Sequence, residues 1–288
     1  MPEKRRIVER DGVRLAVREL PGDGRPLLLL HGLASTTHIW DLVAPRLAGR
    51  HRVVAYDQRG HGESTKTAAG YGFPEVVADA AEVIRRLRLR RTVIVGHSWG
   101  GSVALEAAVR HPRLVAGAVL LDGGFMSMRD RIDWQAAREL LRPPDIDGMH
   151  VDEFLRRWSG ATGLPLTDGR GTVARSLVRV GPDGRIRRRL SVPKHMRILR
   201  AIWEHDVGRA LRSVRVPTLV LAARSHGTDP KEAAFMEAKR EGAAAVRAIG
   251  EPLRFAWIEG IHDVPLDRPA AVAARVRSFA ANLARIEA

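Results

Sequence analysis

The chain has 288 residues, 45% of them hydrophobic, and a formal net charge of +15. That length suffices for one large domain or two small ones with a substantial core. Cysteine is absent, which excludes disulfides, thiolate catalysis and zinc–thiolate sites. Residues 1–10 are charged and contain no apolar stretch, so a cytoplasmic protein with neither signal peptide nor membrane span is expected.

The positive charge is mostly arginine: five of the 48 basic residues are lysines. The densest runs, 85–91 and 185–189, carry no interleaved aromatics and no nucleic-acid motif. Both read as solvated faces, the first placed to complement a helix C-terminus, and no nucleic-acid partner is expected.

Segments 4–8 and 14–19 alternate as strands around Asp11-Gly12, a favoured hairpin turn pair. The runs 26–30 and 53–55 are wholly apolar, the pattern of strands buried on both faces. Segment 40–47 reads as a helix, and 75–87 sets Val76, Val77, Ala80, Val83, Ile84 and Leu87 at helical spacing. A strand at 91–95 runs into a helix beginning near Gly101, and further strands follow at 115–121, 218–222 and 255–258. A last helix over 269–284 carries an apolar stripe of Val272, Val276, Phe279, Ala280 and Leu283. This alternation predicts an α/β fold: a doubly wound, mostly parallel eight-stranded sheet with an N-terminal antiparallel hairpin.

Residues 125–214 break the rhythm. They are polar, with helix-like pieces at 134–141, 151–158 and 195–210, a turn at Gly181-Pro182-Asp183-Gly184, and three of the six tryptophans. So long an interval is too large for a loop, so 1–124 and 215–288 are expected to form a core and 125–214 a helical cap. Substrate would bind between them, where open α/β sheets place ligands.

The segment Gly96-His97-Ser98-Trp99-Gly100 stands between a β-branched strand and a helix, the context of a nucleophile elbow. The serine sits on a strained turn with its hydroxyl projecting from the sheet, and a β-carbon at either flanking glycine would collide with neighbouring elements. The helix that follows aims free N–H groups at the site, which favours a developing oxyanion.

Two further segments join this elbow. Leu27-Leu28-Leu29-Leu30 leads into His31-Gly32-Leu33, and Tyr56-Asp57-Gln58-Arg59-Gly60-His61-Gly62-Glu63-Ser64 follows the next strand. With them the chain resembles the α/β-hydrolase superfamily over residues 27–279. The resemblance implies an oxyanion hole built from the backbone N–H groups of Leu33 and Trp99, with Ser98 as nucleophile. His262, after the last strand, matches the family's general base. The 56–64 loop matches a structural brace, which casts His61 as scaffold.

The acid departs from the family pattern. Relatives place it in a Gly-x-x-Asp turn after the strand at 218–222, where this chain reads Ala223-Arg224-Ser225-His226. Asp122, ending the strand beside that of the serine, is the first candidate. Some haloalkane dehalogenases and lipases of the superfamily use that site, and a strand-end residue is rigidly held. Asp229 is the alternative and would need a lengthened turn. Asp263 reads as a loop residue.

The expected activity is hydrolysis of an ester, thioester or lactone of a small, largely apolar substrate through an acyl-enzyme, without metal or organic cofactor. Acyl transfer, carbon–carbon bond hydrolysis, cofactor-free peroxidation, or ligand binding with little turnover remain open. Trp134, Trp158 and Trp203, with Met126 and Met128, are candidates either for pocket walls or for core packing.

Overall fold

A computed structural model describes residues 2–227 and 229–287. Strands β1 (Lys4–Arg10) and β2 (Val13–Leu20) form the opening hairpin; β3 (Leu27–Leu30), β4 (Val53–Tyr56), β5 (Thr92–His97) and β6 (Val115–Leu121) follow. The short strands β7 (Val178–Val180) and β8 (Ile186–Arg188) pair with each other, and β9 (Thr218–Arg224) and β10 (Leu253–Glu259) complete the set. The main sheet has eight strands in the order β1-β2-β4-β3-β5-β6-β9-β10. β1 and β2 are antiparallel to their neighbours, and the remaining pairs are parallel. This is the predicted α/β architecture.

Successive strand residues point to opposite faces, and both faces of the central strands are covered. Leu28, Leu30, Val54, Tyr56 and Ile94 join a core cluster with the helices Phe73–Arg86 and Trp99–Arg110. Leu27, Leu29, Val53, Ala55, Val93 and Val95 join another with the C-terminal helix Pro269–Glu287. Burial on both faces explains why β3 and β4 are apolar throughout.

Local chemistry redraws some predicted helices. The 40–47 segment is a single 3-10 turn, Thr37–Trp40, followed by the helix Ala44–Leu47. The 195–210 segment is two helices, Val192–Glu204 and Val207–Ser213; Asp206 divides them by accepting the Arg209 N–H at 2.9 Å as a cap on the second. A long helix, Pro230–Ile249, lies where no element was predicted.

Residues 125–214 leave the sheet after β6 and return at β9, carrying the helices Trp134–Leu140, Val151–Thr162 and Arg170–Ser176 and the β7–β8 hairpin. They are tied to loops of the sheet by Thr36 Oγ1–Ser176 Oγ (2.8 Å), Arg170 Nε to Leu266 O (3.0 Å) and Lys194 Nζ to Lys66 O (3.0 Å). Arg189 also pairs with Glu63. No helix among the described residues is long and apolar enough to cross a membrane.

Candidate active site

Ser98 follows β5 with φ 55° and ψ −123°. A non-glycine residue in that region is strained by about 1–3 kcal/mol, so the surroundings must hold it there. They do so through close contact. A β-carbon on Gly96 would overlap the Gly100 carbonyl, and one on Gly100 would meet the carbonyl oxygens of Leu30 and His31. The Ser98 N–H is bonded to Leu121 O at 2.9 Å, which joins the elbow to the end of β6.

The loop after β3 lies directly on the serine: a β-carbon on Gly32 would be 3.0 Å from Ser98 Cβ. Leu33 is the next residue, and Trp99 is the first residue of the helix Trp99–Arg110, so its N–H has no acceptor within the helix. The predicted oxyanion donors thus belong to the two segments that meet at Ser98.

Two neutral histidines fasten this loop. His31 is fully buried; its Nδ1–H donates to Gly32 O at 2.8 Å, and its Nε2 accepts the Gln58 N–H at 3.0 Å. His61 donates from Nδ1 to Arg59 O at 3.1 Å and accepts the Ala34 N–H at Nε2, 3.2 Å away. Burial pushes both below the ordinary histidine pKa, His61 well below. With both ring nitrogens engaged by backbone, His61 is a brace. Its loop is fixed in turn by Asp57, which accepts the N–H groups of Thr37 (2.8 Å) and Glu63 (2.9 Å), and by the buried Arg59–Asp79 pair, bonded at 2.6 and 2.7 Å.

His262 follows β10 on a turn held by the Ile261 N–H to Asp267 Oδ2 bond at 3.1 Å. Its Nε2 lies 3.0 Å from Ser98 Oγ and its Nδ1 2.7 Å from Asp122 Oδ2. An ionised carboxylate only accepts, so Nδ1 carries the hydrogen and Nε2 is left to accept from the serine hydroxyl. The buried His97 donates from Nε2 to the His262 carbonyl at 2.9 Å. Burial, then the adjoining His262 charge, bring His97 down to about 4, so it is a neutral donor at ordinary pH.

Asp122 sits just beyond β6 with φ 48°, its side chain completely buried. Its Oδ1 accepts the Ala223 N–H at 2.8 Å; its Oδ2 accepts both His262 Nδ1–H and the Lys239 ammonium, the latter at 2.8 Å. Burial opposes its negative charge, but the His262 and Lys239 contacts outweigh that and hold Asp122 below the usual carboxylate range. Desolvation likewise opposes protonation of His262, and the bond to Asp122 reverses the balance, raising its pKa above the ordinary value.

The other candidates lie elsewhere. Asp229 is exposed before the helix Pro230–Ile249, with Oδ1 accepting the Glu232 N–H at 3.3 Å. His226, in the family's usual acid slot, is exposed and contacts Glu259 at 2.7 Å. Trp134 and Trp203 are neighbours within the 125–214 segment, 6.0 Å between ring centroids, with the Arg200 guanidinium 4.8 Å from each ring. Trp158 packs on the cluster that contains Ile39, Trp40 and Leu164. Phe235 approaches His262 instead, at 6.0 Å. Phe235 and Lys239 share the helix that was not predicted; a lysine four residues after a phenylalanine, among alanines and Met236, is the one trace of them in the sequence.

A family profile described as alpha/beta hydrolase fold matches residues 25–145. A non-heme haloperoxidase from Rhodococcus erythropolis is 30% identical over 235 residues, covering 77% of this chain and 81% of that protein. The chain belongs to the α/β-hydrolase superfamily. A 2-(acetamidomethylene)succinate hydrolase from Mesorhizobium japonicum is 37% identical over 117 residues, 41% of this chain and 42% of that protein. A crystal structure of E-2-(acetamidomethylene)succinate hydrolase superposes with a TM-score of 0.78 at 26% identity, covering 96% of this chain and 99% of that one. Some other curated relatives are matched over only 33% of their length.

Proposed function

We propose that this α/β hydrolase is a serine hydrolase that cleaves an ester, thioester or lactone of a small, largely apolar substrate. The observation that carries the reading is the continuous hydrogen-bonded chain from Ser98 Oγ through His262 to Asp122. A serine hydroxyl at its free pKa is a poor nucleophile and needs a base so placed, itself oriented by a third group.

In this reading Ser98 Oγ attacks the carbonyl carbon while His262 Nε2 takes its proton. The resulting imidazolium is held by Asp122, and the oxyanion faces the N–H groups of Leu33 and Trp99. The bond to the leaving group breaks as His262 returns the proton to it. Water, deprotonated by the same nitrogen, then attacks the acyl-serine and releases the acid. Asp229 has no part in this sequence. The 125–214 segment serves as a cap, with substrate entering between it and the strand ends. Trp134 and Trp203 act there as packing residues, and Leu33 and Phe235 as apolar walls. The likeness to a protein named as a haloperoxidase favours one second reading on the same acyl-enzyme. Hydrogen peroxide would replace water as the attacking nucleophile and leave a peracid.

The test is turnover of short-chain p-nitrophenyl esters. Wild type is expected to release p-nitrophenol, and Ser98→Ala to lose activity by about 10⁴-fold or more while remaining folded. Equal turnover by the two proteins would overturn the reading.

A further inference from the structure

Lys239 is a buried charge that the proposed chemistry does not use. It lies inside the helix Pro230–Ile249, is 1% exposed, and is one of five lysines in a chain that otherwise uses arginine for its positive charge. Its ammonium donates to Asp122 Oδ2 and to Ala223 O, both at 2.8 Å, and stands 4.5 Å from the centroid of the Phe235 ring. Burying an ammonium costs several kcal/mol unless its partners are well placed. Here every partner lies at the site.

The sharing of one oxygen gives the placement its meaning. Lys239 Nζ and His262 Nδ1 both bond to Asp122 Oδ2, while Oδ1 is occupied by the Ala223 N–H. Asp122 therefore reaches His262 with its negative charge already partly balanced. A compact point charge suits this position better than a planar guanidinium, which would demand a wider, bidentate slot. The groups facing His262 are Asp122, Asp263 and His97, with Lys239 behind Asp122; the two aspartates favour imidazolium, and Lys239 opposes it.

We propose that Lys239 is a positioning residue for the Asp122–His262 pair, pinning the carboxylate at Oδ2 and balancing part of the charge that it presents to the imidazole. The proposal rests on the serine-hydrolase reading, because it assigns Lys239 a role through that base. The sign follows from the charges. Without Lys239, Asp122 acts on His262 undiminished, imidazolium is favoured, and the unprotonated base is lost at a higher pH.

Lys239→Gln keeps a donor without the charge, Lys239→Met removes both, and Lys239→Arg keeps the charge. The ring resonances of His262, assigned by their loss in His262→Gln, are titrated by NMR in each variant. The rate of fluorophosphonate labelling is followed over the same pH range. The neutral variants are expected to raise the His262 midpoint and the acidic limb of the labelling profile together by about one to two pH units, as expected for a unit charge one carboxylate away. Lys239→Arg, which keeps the charge in a slot shaped for an ammonium, is expected to hold the His262 midpoint near that of wild type even where its thermal stability falls. A purely structural lysine would lower thermal stability and leave both midpoints where they were. An unmoved midpoint in a folded neutral variant would overturn the inference, as would failure of both neutral variants to fold. Absence of labelling in wild type at every pH would instead sink the hydrolase reading, with the NMR titration still deciding the effect of Lys239 on His262.

Discussion

Around Ser98 the structure is held by backbone and neutral rings, whereas around Asp122 it is held by buried charge. The elbow depends on glycines pressed against carbonyls, and the loop before it on His31 and His61, whose nitrogens bond to main-chain groups. Asp122 takes one backbone N–H at Oδ1, and at Oδ2 depends on an ammonium from a distant helix and on the imidazole it orients. The first kind of support is short-range and geometric. The second is electrostatic, and losing one member leaves another charge stranded.

The largest effect is expected from the charged half. Asp122→Asn should lower kcat by about 10⁴-fold, because an amide at Oδ2 no longer enforces the His262 tautomer. It should also cost about 3–5 kcal/mol of stability by leaving the Lys239 ammonium buried without its counter-charge. Kinetics and thermal melting read the two losses separately, and a fall in kcat with unchanged stability would break the comparison. In the neutral half the loss should be smaller. His61→Ala removes one fastening of the Leu33 loop and should cost about 10- to 100-fold in kcat, the scale of a loosened rather than deleted oxyanion donor. A loss as large as that of Asp122→Asn would mean that His61 does more than brace. The smallest effect belongs to Asp229→Asn, which should leave kcat within about twofold, since the His262 Nδ1–H is directed at Asp122.

The same division explains what could be read from the sequence. The Ser98 elbow is a contiguous segment marked by its own backbone demands, whereas the His31-Gly32 loop and the 56–64 brace were read from their resemblance to the family. These segments and the eight strands of the main sheet were therefore legible. Asp122 was legible as a candidate because it ends a strand beside β5, though a charged partner for it was not foreseen. Lys239 is 117 residues from Asp122, on a helix rich in alanine, whose small side chains leave no clear apolar period to mark which face is buried. The helix was missed, and Lys239 and Phe235 with it. The tryptophans of the 125–214 segment show the converse: aromatic residues are conspicuous in sequence, but which surface a ring packs on is set by tertiary contacts such as the Arg200 guanidinium over the Trp134 and Trp203 rings.

The central claim, that Ser98 is a nucleophile activated by His262, is tested most directly by trapping its covalent product. Wild-type protein and His262→Ala are mixed with a p-nitrophenyl ester, quenched in acid within milliseconds, digested and measured by mass spectrometry. An acyl adduct is expected on the peptide carrying Ser98 in wild type, and none in His262→Ala on that timescale. An adduct on another residue, or ester turnover with no adduct on Ser98 at any quench time, would contradict the claim.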